Sequence, residues 1–144
     1  MCVEHTEDGE SLPVLTIDGA RFSGLGGFYD EVSDRVIPGA SWGRNLDAFN
    51  DMLRGGFGTP KDGFQLRWVN SVMSRERFGW DETIRFLERQ LSTCHPQNVP
   101  YVQANLAAAR RHEGEMLFDM IVAMIRNHGL GGDEAHDNVR LILE

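Results

Sequence analysis

Asp47 and Asp51 are the side chains whose type and spacing most directly promise chemistry: two carboxylates at i and i+4, which a helix sets one turn apart on one face. Such a pair can do one of two things. In a concave, partly apolar pocket that separates their pKa values, it performs general acid–base hydrolysis. On a convex, solvated helix it presents a fixed array of negative charge. Other reactive types are scattered: Cys94 beside His95, and His112 and His128 farther on. Their spacing matches no zinc pattern, and Cys94-His95-Pro96 reads as a helix cap and turn. His128 is expected to stabilise the end of a helix. Gly24, Gly26 and Gly27 begin a dinucleotide-type loop, but Tyr29 occupies its last glycine position. The chain holds no P-loop or His-Glu-x-x-His pair. No catalytic residue, metal site or cofactor is therefore expected, and the protein is not expected to be an enzyme.

The charge balance narrows the partners. Lys and Arg total 14 against 22 Asp and Glu, for a formal net charge of −8. A nucleic-acid backbone is repelled by such a field, whereas a basic protein is attracted, although acidity alone also serves solubility. The 144 residues, 41% hydrophobic and 25% charged, suit one soluble domain. No run approaches the roughly 18 apolar residues of a membrane helix, and Met1 to Glu10 is acidic where a signal peptide would be basic. A cytoplasmic protein, monomeric when free, is expected. Cys2 and Cys94 read as free thiols.

The elements that must position Asp47 and Asp51 follow from periodicity. Residues 1–11 are polar and aperiodic, a flexible tail; 12–144 read as a single domain. Pro13 to Ile17, closed by Asp18-Gly19, is a first strand, short and apolar enough to be buried on both faces. Phe28, Val32 and Val36 mark a first amphipathic helix that Pro38-Gly39 ends. Asn45 is a good N-cap for a second helix, Leu46 to Arg54, and Gly55-Gly56 supplies a left-handed stop. Phe64 to Val69 alternates as a second strand. Trp80, Ile84, Leu87 and Leu91 form one helical stripe, Val99, Val102, Leu106 and Ala109 another, and Leu117, Ile121, Met124 and Ile125 a third. Val139 to Leu143 is a last strand. Helices between strands predict an α/β fold with a small three-stranded parallel sheet packed against several helices.

On the second helix, Leu46, Phe49 and Leu53 cluster within about 60° of one another, while Asp47 and Asp51 project about 160° from them. Both carboxylates are therefore expected in solvent, on a convex face. As an ordinary solvated face, Arg44 would pair with Asp47 and Arg54 with Asp51, each pair worth only a few tenths of a kcal/mol.

The wider segment is more specific. Trp42-Gly43-Arg44-Asn45-Leu46-Asp47-Ala48-Phe49-Asn50-Asp51 resembles the aromatic-Gly-x-Asn-Leu-Asp-Ala-hydrophobic-x-Asp segment that opens the binding helix of the barstar family of ribonuclease inhibitors. The resemblance covers roughly 14–79 and 114–144 and leaves 80–113 as a helical insertion. It implies an inhibitor that plugs a basic, barnase-like ribonuclease with this helix and the preceding loop, using Trp42, Gly43, Asn45, Asp47 and Asp51. A cationic phosphate cleft favours a rigid carboxylate array that matches its charge spacing. Ser41 and Asn50 stand where that family carries aromatics, Arg44 and Arg54 partly cancel the acidic stripe, and Met124 lies near where the family carries a contacting glutamate. The alternative is a regulatory module of the same fold that binds another basic protein.

Overall fold

The computed structural model describes residues 12–55, 57–60 and 62–144, so the tail 1–11, with Cys2, lies outside the described residues. Strands β1 (Val14–Asp18), β2 (Phe64–Val69) and β3 (Val139–Leu143) form one sheet in the order β1-β2-β3, with both pairings parallel. Helices α1 (Leu25–Arg35) and α2 (Leu46–Leu53) connect β1 to β2. Helices α3 (Ser71–Arg77), α4 (Trp80–Thr93), α5 (Val99–Arg110) and α6 (Leu117–Arg126) connect β2 to β3. This is the expected α/β fold with a three-stranded parallel sheet.

The register makes rows across the sheet: Leu15 beside Leu66 beside Leu141, and Ile17 beside Trp68 beside Leu143. That face meets the helices. Phe28 of α1 stacks on Trp68 at 5.7 Å and meets Phe49 of α2 edge-on at 5.2 Å, while Phe118 of α6 closes on Trp68 at 5.2 Å. Gly27 lets the segment before α1 fold back onto the helix, because a Cβ there would stand 2.7 Å from that of Phe22.

The expectation that β1 is buried on both faces is corrected. Its alternate residues, with Arg67 and Ile142, face away from the core, and Val14 is 53% exposed. β1 is an edge strand, and the main core lies on one face of the sheet only.

α4 and α5 pack together around a second, smaller cluster of Leu87, Leu106 and Ala109. Phe86 touches both clusters, and the Leu117 N–H donates to Thr83 Oγ1 at 2.7 Å, so this hairpin is fastened to α6. Trp80, the first residue of the α4 stripe, is half-buried: it packs against this smaller cluster with Ile84 and Leu91, and its ring lies flat on His112 at 5.5 Å. Thr83 and Leu87 are the fully buried positions of α4, and Trp80, one heptad before Leu87, lies on the same face. α3 has no apolar stripe; Val72 is exposed, and Ser74 anchors the helix by accepting the Trp68 indole N–H at 3.0 Å.

Candidate partner-binding surface

α2 is defined at both ends by its own sequence. The Asn45 side chain accepts the Ala48 N–H at 2.7 Å, and Gly55 leaves the helix at φ +103°. Asparagine at this position satisfies an otherwise orphan donor, and glycine takes the left-handed turn without a Cβ penalty. Leu46, Phe49, Met52 and Leu53 are all buried, so the helix has one azimuth. Asp47 is exposed in its first turn, and Asp51 points outward one turn later with 57% of its side chain exposed.

The flanking arginines are arranged differently from the expected local pairs. Arg44, held at φ +55°, turns away from Asp47 and pairs with Asp30 of α1, while its other nitrogen donates to Ser33 Oγ at 3.2 Å. The same Ser33 Oγ accepts the Trp42 indole N–H at 2.8 Å, and Trp42 meets Tyr29 edge-on at 5.7 Å. Trp42 is thus half-buried against α1 beside exposed Gly43. Burial pushes the Tyr29 phenol up to about 12.

Arg54 does pair with Asp51, at 2.6 Å, but it also grips Glu134 through two hydrogen bonds of 2.5 and 2.8 Å. That grip raises the Arg54 pKa and holds the Glu134 carboxyl below its usual range. Asn50, between the two aspartates, places Oδ1 2.6 Å from Nε2 of His128, whose Nδ1 lies 2.7 Å from Asp137 Oδ2. His128 is fully buried. It stands two residues past the last residue of α6, and its ring ties that end to α2. Sequence reading missed Asn50, His128, Glu134 and Asp137 as a brace, because its links span 78 and 80 residues and carry no spacing signal.

His128, Glu134 and Asp137 bring ligand-type atoms within 4.8 Å of one another, but Asn50, Arg54 and the His128–Asp137 contact already engage them. His95 is distant from them in function: its Nδ1 accepts the Gln97 N–H at 3.1 Å and caps the turn at Pro96–Asn98, as expected, next to the free thiol of Cys94. Among the described residues no helix is long and apolar enough to cross a membrane.

An α/β protein that presents a capped helix with two outward carboxylates is the class these elements define. The chain matches the family model described as barstar (barnase inhibitor) over residues 12–102, well over half its length, and belongs to that family. The matched span contains all five expected contact residues and takes in α4 and the start of α5. No curated protein matches the chain.

Proposed function

We propose that this protein inhibits a basic ribonuclease by lodging α2 and the loop before it in the enzyme's phosphate-binding cleft, acting in the cytoplasm as a monomer that binds neither nucleic acid nor membrane and has no catalytic activity of its own. The observation that carries the reading is the outward pair Asp47 and Asp51 on a helix whose other side is entirely core, within a chain of the barnase-inhibitor family. A rigid carboxylate array meets a cationic cleft without ordering cost, which favours fast association and a low off-rate. Trp42, Gly43 and Asn45 supply the preceding loop. Residues 12–144 would act as one domain, with 80–113 inserted between the sheet-bearing parts.

The second reading, a module binding some other basic protein, is favoured by the Arg54 contact that covers one side of Asp51. RNA cleavage by a barnase-class ribonuclease, followed with and without the purified protein, separates the two. Stoichiometric inhibition that Asp47→Ala weakens supports the inhibitor reading; full cleavage at micromolar excess overturns it.

A further inference from the structure

Asp47 stands on a ridge between two grooves of opposite character. The groove on the α1 side, about 520 Å³, is lined by two arginines, Arg44 and Arg89. The groove on the other side, about 310 Å³, lies between the start of α2 and the α4–α5 hairpin, bounded by residues 113–115 and α6. Its floor is apolar, with buried Leu46 and half-buried Phe86, Met120 and Met124. Its rim carries Asp47, Glu113 and Glu115, and no Lys or Arg lines it. Glu113 holds Arg111 at 3.0 Å, but neither Asp47 nor Glu115 has an ion pair among the described residues. Tyr101 of α5 also lines the groove and is 71% exposed.

These features specify an occupant. Methionines adapt to aliphatic side chains of varied shape, and an exposed tyrosine offers a large contact area at low entropy cost. A rim of three carboxylates, of which only Glu113 holds a cation, attracts a Lys or Arg and repels an anion. Asp47 belongs both to the α2 charge surface and to this rim, so a protein that covers the first turn of α2 also covers the mouth of the groove.

We propose that the groove is a second seat on the partner nuclease, receiving a protruding loop that carries a lysine or arginine next to an aliphatic or aromatic side chain. The proposal rests on the inhibitor reading above for the owner of that loop. α2 addresses a phosphate cleft, which any such nuclease must have; the groove walled by α4 and α5 addresses a loop, where nucleases differ. The hairpin is therefore the specificity-determining part of the surface.

The test uses the isotope-labelled full chain and the peptide acetyl-Leu-Arg-Leu-amide, with its neutral citrulline analogue as control. Amide shifts are expected to concentrate at Tyr101, Glu113, Glu115, Met120 and Met124, with about fivefold weaker binding of the citrulline peptide. Glu115→Lys, at an exposed position, is expected to weaken the arginine peptide about tenfold with an unchanged melting temperature. Tyr101→Ala provides a second, uncharged variant with a smaller loss. Shifts scattered over the acidic surface, equal binding of the two peptides, or indifference to both variants overturns the seat. If the peptide occupies the groove but the chain does not inhibit a basic ribonuclease, the seat stands and the nuclease as its owner is overturned. If the chain inhibits the nuclease and the peptide does not bind, the seat falls and the inhibitor reading stands.

Discussion

Asp47 and Asp51 lie one turn apart on one face of α2, yet their surroundings differ. Asp47 has no ion pair among the described residues and looks out between two grooves. Asp51 is held by Arg54, which Glu134 holds in turn, and the adjacent Asn50 is tied to buried His128. One end of the helix is available and the other is braced. A carboxylate already paired must share or give up its cation before a partner's cation can profit, so the two aspartates are not equivalent contributors to binding.

Removing the brace gives the largest expected effect. His128→Ala leaves the Asp137 carboxyl, 8% exposed, and Asn50 without their buried partner. The loss expected is about 3 kcal/mol of unfolding free energy, read by urea denaturation. An effect below about 1 kcal/mol would show that the brace relaxes at little cost.

Affinity for a barnase-class nuclease sharpens the contrast. Asp47→Ala is expected to cost about 3 kcal/mol of binding and Asp51→Ala about 1 kcal/mol, with the Asp47 effect growing as salt is lowered. Inhibition titrations over a salt series measure both, and an equal or reversed order would contradict the inequivalence. Asp47→Ala should also lower stability by about 0.5 kcal/mol, since it removes a negative charge from the helix N-terminus.

Asn45→Ala tests the free end alone. Losing the cap should cost about 1 kcal/mol in a thermal melt. It should also weaken binding, because the loop at Trp42 and Gly43 loses its anchor.

The smallest effect concerns pH. Arg54 depresses the Glu134 pKa from its ordinary 4.5, so the unfolded chain binds a proton before the folded one does as pH falls. The contribution is therefore fully present above the unfolded value and is lost as pH drops through the lower folded value. Melts between about pH 6 and pH 3 should show Arg54→Ala flattening the pH dependence slightly, with the difference from the parent vanishing at the acid end.

Much of this helix was legible in the sequence. Asn45, the alternation of buried and outward residues, and Gly55 act within a few positions of one another, and local signals of that kind fix the ends and azimuth of α2. β2 was legible for a similar reason, since Phe64, Leu66 and Trp68 alternate toward the core. Where the partner is distant, the sequence was silent. Arg44 chose Asp30 on another helix over Asp47 three residues away, and Arg54 added Glu134, 80 residues on. α3 escaped notice because two serines, not apolar residues, make its buried face. The Trp80, Ile84, Leu87 and Leu91 stripe was legible too, since all four side chains meet in the small cluster of the hairpin, whereas the stacking of Trp80 on His112 left no spacing signal.

The separate small cluster inside the α4–α5 hairpin has a kinetic consequence. Leu87, Leu106 and Ala109 form a far smaller core than the one over the sheet, and the hairpin is fastened to the remainder chiefly at Phe86 and Thr83. Local opening free energies follow the apolar surface that each unit buries, so amide protons of α5 should exchange through sub-global openings while those of β2 wait for global unfolding. The wall of the groove beside Asp47 then has its own clock: it breathes and recloses many times during one lifetime of the folded sheet.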